Sequence, residues 1–152
     1  MTRTVAFAEL PVLVGQEVAA SGWFPVGQER IAAFAEATED RQWIHVDPER
    51  CARESPFGAP VAHGFLSLSL LPAMLESALR IEGMRMGLNY GLNRVRFPAP
   101  LPSGSRVRGR WTLAACEPIE GGVQLTWNVT VEPEGRDGKP VCAAEFLVRA
   151  YA

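Results

Sequence analysis

One stretch of the sequence, from Val61 to Arg80, is apolar on nearly every face that a helix would present. A helix on a protein surface carries an apolar stripe on one side only, so this stretch predicts a helix that is buried on most sides. Pro72 lies inside the stretch and lacks a backbone N–H, which predicts a kink or break there. The rest of the chain must therefore supply a cover for one helix.

The second half of the chain supplies that cover as strands. Three segments, Arg106 to Leu113, Val123 to Val131 and Cys142 to Ala150, alternate between the two faces with a period of two and are bounded by Gly or Pro. Such segments are typical of half-buried antiparallel strands. Further strands are predicted from Asn89 to Phe97 and between Glu17 and Pro25. Five antiparallel strands that wrap a helix inserted after the first strand make an α+β fold.

Two shorter helices are predicted ahead of the buried one. From Gln28 to Ala37 apolar residues recur at helical spacing, among Ala and Glu residues that favour a helix. Asp47 followed by Pro48 marks a helix start, since Asp caps the first turn and Pro fits its first position. This helix should end near Glu54, because the next four residues, Ser-Pro-Phe-Gly, are typical of a turn.

Composition narrows the class of protein. The chain of 152 residues is 47% hydrophobic, and we expect one domain over residues 1–152. Lys+Arg 15 against Asp+Glu 17 gives a net charge of −2, which argues against a nucleic-acid or membrane-surface binder. The three cysteines are widely spaced, so they support neither a disulfide framework nor a zinc cluster, and reduced thiols favour the cytoplasm. We also expect no signal peptide and no membrane span.

Asp40 and His45 are the residues that could carry acid–base chemistry. On a continuous helix, side chains at this spacing point about 140° apart, so they converge only if the backbone leaves the helix between them. The sequence permits this, because the first helix fades at Glu39 and the next begins at Asp47. An aspartate and an imidazole that meet over one water form an acid–base pair. The alternative, which the spacing alone favours, is a surface aspartate near a structural histidine.

His63 and Gly64 stand at the start of the buried helix. Glycine allows close approach to the backbone, and N–H groups of a first helical turn suit a carbonyl oxygen that gains negative charge. The alternative is a tight junction between a loop and a helix. Ser67 and Ser69 could place hydroxyls nearby, although helix serines usually bond back to the backbone. Two histidines without paired ligands do not support a metal site.

Five arginines lie on predicted strands that we expect to be adjacent, where they form a local basic cluster in a chain of negative net charge. They are Arg94, Arg96, Arg106, Arg108 and Arg110. The cluster is either a solvated face of the sheet or a contact surface for phosphates at the mouth of a pocket.

Several segments together resemble the MaoC-like dehydratase family, and most of all its NodN-like group of (R)-specific enoyl-CoA hydratases. They are Phe34–Asp40, Trp43–Glu49, Pro56–Gly58, Val61–Leu66 and Asn89–Pro100, followed by Gly104. The resemblance covers about Val14 to Ala150. It implies a hot-dog fold, in which an antiparallel sheet wraps a central helix, and a homodimer.

The resemblance also implies reversible hydration of a trans-2-enoyl thioester to an (R)-3-hydroxyacyl thioester. Asp40 would be the base on the attacking water, and His45 would orient that water and help to pass a proton to the α-carbon. The Gly64 N–H would bind the thioester carbonyl. Substrate contacts are expected from six residues: Trp43, Phe57, His63, Ser67, Arg94 and Arg96. The resemblance implies that no metal or redox cofactor is needed. Coenzyme A, or an acyl carrier protein, is the part of the substrate to which the acyl group is attached, and is not a cofactor.

Two positions depart from the family pattern. Gln42-Trp43 stands where related hydratases often have Asn-Pro, which leaves the preferred acyl chain length open. Pro72 stands where some members have a serine, so any role of that hydroxyl is absent or passes to Ser67 or Ser69. Two other functions stay open: an acyl-CoA thioesterase, because hot-dog domains also host hydrolysis, and a non-catalytic subunit that binds acyl thioesters.

Overall fold

The computed structural model describes residues 2–136 and 138–152. In these residues the strands are β1 (Arg3–Ala6), β2 (Glu17–Ala20), β3 (Phe24–Val26), β4 (Leu79–Glu82), β5 (Met86–Arg96), β6 (Ser105–Ile119), β7 (Gly122–Pro133) and β8 (Cys142–Tyr151). The α-helices are α1 (Gln28–Thr38), α2 (Trp43–Val46), α3 (Pro48–Glu54), α4 (Gly64–Ser69) and α5 (Leu71–Ala78), and a 3-10 helix spans Phe7–Leu13.

The main sheet is antiparallel, with the strand order β2-β6-β7-β8-β5, and β3 also pairs with β6. Strands β6, β7 and β8 lie where the three alternating patterns predict them, and β5 lies where the further strand from Asn89 to Phe97 is predicted. The early strand is divided into β2 and β3. β1 and β4 form a separate parallel pair, which the sequence analysis did not predict.

The central helical segment packs on one face of this sheet. Helix α5 packs against β6 and β2, and α4 packs against β8. The rings of Trp111 and Trp127, both fully buried, meet edge to face with centroids 6.0 Å apart. Met74 on α5 is equally buried. The apolar faces of the strands and of the helix therefore form one core, as the period-two patterns predict.

The prediction of one helix from Val61 to Arg80 is wrong at both ends and correct about a break. Residues 61–63 are extended, since Val61 forms an isolated bridge with Pro102 and the Ala62 N–H donates to the carbonyl of Leu101. At the other end the chain leaves the helix to pair β4 with β1. The break falls at Leu70, because Pro72 fits the first turn of a new helix, where its missing N–H is not needed.

No α-helix in residues 2–136 and 138–152 combines the length and the apolar character that crossing a membrane requires. The three cysteines are free thiols, and two of them, Cys51 and Cys142, are buried.

Candidate active site

Asp40 and His45 converge because the backbone turns sharply between them. Helix α1 ends at Thr38. The next residue, Glu39, adopts a left-handed conformation with φ 62°, and α2 is a single turn. As a result, Asp40, His45 and His63 each place one polar side-chain atom within 4.8 Å of those of the other two. Asp40 is exposed, whereas His45 is buried. The structure thus brings together the two residues that the sequence analysis singled out as a candidate acid–base pair.

The imidazole of His45 is oriented by a backbone carbonyl. Its Nδ1 lies 2.7 Å from the carbonyl oxygen of Val61. A carbonyl only accepts hydrogen bonds, so Nδ1 carries the hydrogen and donates, and in the neutral ring Nε2 keeps a lone pair. The main chain of His45 is held as well, since the Gln28 side-chain amide donates to its carbonyl at 2.8 Å.

His63 contacts both members of this pair. Its Nε2 lies 2.9 Å from the backbone carbonyl of Asp40, and its ring stacks on that of His45 with centroids 3.8 Å apart. The residue is only 3% exposed, and its Nδ1 has no hydrogen-bond partner among the described residues. His63 was expected to contact substrate. Its polar contacts in the structure are instead with the site itself, and the substrate contact stays a prediction.

Gly64 opens helix α4 and lines a pocket of about 260 Å³, together with Phe57, Ser67 and Phe97. A Cβ at position 64 would lie 2.8 Å from the ring of Phe97, so the residue must be glycine for this packing. The Gly64 N–H has no acceptor among residues 2–136 and 138–152. Three expected site residues, Phe57, Gly64 and Ser67, are therefore brought together at one pocket.

The two helix serines differ in a way that the sequence could not resolve. The Ser69 hydroxyl donates to the Phe65 carbonyl at 2.7 Å, which is the usual bond of a serine in a helix. Ser67 is only 2% exposed, and its hydroxyl forms no hydrogen bond within the described part of the chain. Because Ser67 lies one turn after Gly64, its hydroxyl is available on the same face of α4.

Arg41 is adjacent to Asp40 in sequence but is engaged elsewhere. Its guanidinium Nε donates to the carboxylate of Glu36 at 2.7 Å. This hydrogen bond, with the attraction between the two charges, lowers the pKa of Glu36 and raises the pKa of Arg41. Among the residues that the structure describes, the Asp40 carboxylate accepts only a long contact of 3.5 Å from the Gln42 N–H, which leaves its oxygens able to accept from a water.

Trp43 lies outside the Gly64 pocket. The guanidinium carbon of Arg50 lies 4.2 Å from the centroid of its ring, a cation–π contact that engages a half-buried side chain. The contact of Trp43 with substrate therefore stays a prediction.

The five arginines do not lie on adjacent strands, and that expectation is wrong. Strands β7 and β8 separate β5, which carries Arg94 and Arg96, from β6. The three arginines of β6 each have carboxylate partners: Arg106 with Glu134, Arg108 with Glu132, and Arg110 with Glu17 and Glu132. The sequence alone could not show these pairs, because they depend on which strands are neighbours.

Arg94 and Arg96 face away from Gly64. On the same strand end, Val95 packs against the core and Phe97 contacts Gly64, while alternate residues of a strand point to opposite faces. Arg94 and Arg96 line an open groove of about 700 Å³ on the outer face of the sheet. Their expected contact with substrate phosphates stays a prediction.

Two apolar cavities along the central helix were not predicted. One, of about 340 Å³, lies between α5 and the sheet beside Trp127, and the other, of about 270 Å³, lies beside Leu68 and Leu92. Pro72, Asn89 and Phe146 line both. The sequence held one indication of these cavities, because Asn89 is a polar residue on a strand predicted to lie near the apolar helix. Which residues surround Asn89, however, follows only from the register of β5 with β8.

Comparison with known proteins gives a consistent result. Residues 9–133 match the family model described as MaoC like domain. The chain is 49% identical over 146 residues to 3-hydroxyacyl-thioester dehydratase Z of Mycobacterium tuberculosis, an alignment that covers 95% of each chain. It is also 49% identical over 146 residues to nodulation protein N of Rhizobium leguminosarum bv. viciae, covering 94% of this chain and 89% of that protein.

A solved structure extends the comparison to three dimensions. The (R)-hydratase from A. caviae involved in PHA biosynthesis superposes with a TM-score of 0.71 at 26% identity, over 89% of this chain and 94% of that one. The sheet that packs around the central helix is therefore a hot-dog fold, and the expectation drawn from the sequence is confirmed.

Proposed function

The chain belongs to the MaoC-like dehydratase family, and on that premise we propose that it is an (R)-specific enoyl-CoA hydratase acting on short or medium acyl chains. It is a hydro-lyase of this family, and the reaction is the reversible addition of water to a trans-2-enoyl thioester. The observation that carries the proposal is the convergence of the Asp40 carboxylate and the His45 imidazole. Two such groups at this distance can hold one water between them.

In the proposed mechanism, both groups accept hydrogen bonds from that water. The Val61 carbonyl keeps the hydrogen of His45 on Nδ1, so Nε2 presents a lone pair, and the Asp40 carboxylate presents another. A water that donates both hydrogens has its own lone pairs free for the β-carbon. Asp40 takes one proton from the water as the C–O bond to the β-carbon forms and the π electrons of the double bond move toward the α-carbon and the thioester carbonyl, while the other hydrogen stays on the oxygen as the new hydroxyl. The proton held by Asp40 then passes by way of the His45 Nε2 to the α-carbon, which returns both side chains to their starting state. The water thus supplies both the hydroxyl and the added hydrogen.

The thioester carbonyl is proposed to lie at the Gly64 pocket. As water adds, negative charge develops on this oxygen, and a preorganised N–H donor stabilises it. The Gly64 N–H has no other acceptor in the described residues, and the Ser67 hydroxyl one turn later is also unbonded. Phe57 and Phe97 line the same pocket as apolar walls. We expect Ser67 to act as a second contact for the substrate.

The acyl chain is proposed to enter the apolar cavities along the central helix. These cavities, of about 340 and 270 Å³, are lined mostly by carbon and share Pro72 and Phe146. The coenzyme A or acyl carrier protein that bears the acyl group then stays outside these cavities. The enzyme is proposed to need neither a metal nor a redox cofactor. The cytoplasm is the proposed compartment, on the ground of its free cysteines.

A homodimer is proposed to form along β5. This strand is the edge of the main sheet, so one row of its backbone N–H and C=O groups lies unpaired. Four large apolar side chains on it are 41–54% exposed: Met86, Leu88, Tyr90 and Leu92. A second copy, related by a two-fold axis, would pair with this edge in antiparallel fashion and cover them.

The test is hydration of crotonyl-CoA and longer trans-2-enoyl-CoA substrates, followed as loss of the enoyl-thioester absorbance, with chiral analysis of the product. We expect the (R)-3-hydroxyacyl product, and we expect Asp40→Asn and His45→Gln each to lower kcat by about 10²–10⁴-fold. Glu49→Gln, a neutralised exposed carboxylate on α3, is the matched control and should keep full activity.

Three results would overturn the proposal. They are an inactive wild-type chain on all these substrates, full rates in both the Asp40 and His45 variants, or release of free thiol from saturated acyl-CoA. The last result would identify a thioesterase instead. Thermal stabilisation by acyl-CoA without any turnover would identify a binding subunit.

A further inference from the structure

We propose that His63 is a positioning residue, which holds Asp40 and His45 in their reactive arrangement without touching the substrate. The inference rests on the proposed function and assigns His63 a task different from the substrate contact that the family resemblance suggests. Its starting point is that this buried side chain makes its hydrogen bond to Asp40 and stacks its ring on His45.

The first contact fixes the backbone of Asp40. The segment from Glu39 to Gln42 is not helical, and Glu39 adopts a left-handed conformation. The His63 Nε2–H donates to the Asp40 carbonyl at 2.9 Å across 23 residues of sequence. This bond ties an exposed, irregular segment to the start of the central helix. Without it, the Asp40 carboxylate would be positioned by local conformation alone.

The second contact fixes the ring of His45. The two imidazoles are stacked, 3.8 Å apart and inclined by 22°. The Phe34 ring lies 4.9 Å from His63, so the stack is supported from helix α1 as well. His45 can therefore neither tilt nor shift toward His63, and its Nε2 keeps the direction set by the Val61 carbonyl.

These contacts make the short segment Val61–Gly64 the common support of the site. The Val61 N–H donates to the Ile44 carbonyl at 3.0 Å, and the Val61 carbonyl orients His45. His63 binds Asp40, and Gly64 follows directly with its free N–H. Ala62 anchors the segment to Leu101. One extended stretch therefore sets the relative positions of the base, the imidazole and the oxyanion donor.

The side chain of His63 is not needed for other purposes in the fold. His63 is the N-cap residue of α4, but its side chain forms no capping bond. Its Nδ1 is buried and unpartnered in the described part of the chain, so the ring satisfies only one of its two nitrogens. Among the described residues the Nε2–H bond to Asp40 is therefore the one side-chain hydrogen bond that this buried histidine makes, and it is the contact that an apolar ring could not replace.

The experiment separates the hydrogen bond from the stack. His63→Phe keeps a flat ring against His45 but loses the donor, and His63→Gln places an amide N–H near the position of Nε2. With crotonyl-CoA we expect kcat of His63→Phe to fall about tenfold with KM changed less than about twofold, and His63→Gln to recover most of that loss. Substrate contact by His63 would instead raise KM.

A control variant measures the cost of losing any buried hydrogen bond. Ser21→Ala removes the buried bond from the Gly109 N–H to the Ser21 hydroxyl, on the connection from β2 to β3. It should lower Tm without changing kcat. In an Asp40→Asn background, His63→Phe should cost no more than about twofold further, because His63 acts through Asp40.

Nitrogen-15 spectra of the histidine side chains give a readout that does not depend on activity. We expect the Nε2–H tautomer for His63 and the Nδ1–H tautomer for His45. Unchanged kcat in His63→Phe, failure of His63→Gln to recover, or the opposite tautomers would overturn this inference while leaving hydratase activity in place. A wild-type chain without hydratase activity would overturn both proposals.

Discussion

At position 64, any side chain larger than that of glycine would collide with one neighbouring residue. A Cβ there would meet the Cγ and Cδ2 atoms of Phe97 at 2.8 Å, inside van der Waals contact. Phe97 is 38% exposed, so its ring can shift, and the fold should survive the substitution. Because Phe97 and Gly64 line one pocket, the shift falls where the thioester is proposed to bind.

We therefore expect Gly64→Ala to lower kcat/KM about 10²-fold, the range seen when one oxyanion donor is lost, with a change in Tm of only a few degrees. Steady-state kinetics and thermal unfolding measure the two effects. Gly64→Ala combined with Phe97→Ala removes the collision and should regain part of the activity. No loss in the single variant would contradict the place assigned to the thioester.

The buried thiol of Cys142 makes the free energy of unfolding depend on pH in the alkaline range. Its side chain lies in the core on β8, and burial raises the pKa of the thiol from 9.0 to about 11. Between these values the unfolded chain has released the proton while the native chain still holds it. The native state then binds more protons, so the free energy of unfolding falls as pH rises, by about 2–3 kcal/mol in all.

Urea unfolding between pH 8.5 and 11 measures this slope. Cys142→Ala should be less stable at neutral pH, because it leaves a small cavity, yet its stability should fall less steeply above pH 9. Equal slopes in the two proteins would show that other groups cause the alkaline loss.

Residue identities alone predicted which side chains matter but not how they meet. The spacing of Asp40 and His45 showed that they could converge, and the family resemblance favoured that they do. Their convergence depends on contacts made far along the chain, by the Val61 carbonyl and by His63. Such contacts leave no periodic signal in a sequence. For the same reason, the engagement of Trp43 with Arg50 could not be foreseen.

Among the helices and strands, sequence patterns correctly predicted those whose formation depends on residues close together in the chain. The alternation in β6, β7 and β8, the helical spacing in α1 and the Asp47 cap of α3 all match the structure, where the Asp47 carboxylate accepts from the Arg50 N–H at 3.0 Å. These features depend on side chains a few residues apart.

The elements that were missed depend on distant partners. β1 and β4 are strands because they pair with each other. Residues 61–63 are extended because Val61 forms a bridge with Pro102 and the Ala62 N–H donates to the Leu101 carbonyl. The 3-10 helix from Phe7 to Leu13 buries only Leu10 and Leu13, too few to show a helical period. Apolar character predicted the burial of the central segment correctly but not the points at which its helices begin and end.

For the whole molecule, the edge strand β5 is the proposed site of assembly. If a second copy covers this edge, light scattering coupled to size exclusion should give twice the mass of the 16.6 kDa chain. Leu88→Lys places a charge on the apolar edge and should shift the protein toward monomer. Val12→Lys, at an apolar residue that is 71% exposed on the 3-10 helix, is the matched control and should leave the mass unchanged. A wild-type mass of one chain would contradict the homodimer.

The parallel pair of β1 and β4 has a consequence for synthesis on the ribosome. The Thr2 hydroxyl bonds to the Ser77 carbonyl, and these two residues are 75 apart in sequence. During synthesis β1 must therefore wait for its later partner β4, roughly 4–15 s at ordinary rates of elongation. During that time Arg3–Ala6 has no native neighbour, so the nascent chain bears an unpaired strand until the central helix and β4 have been synthesised.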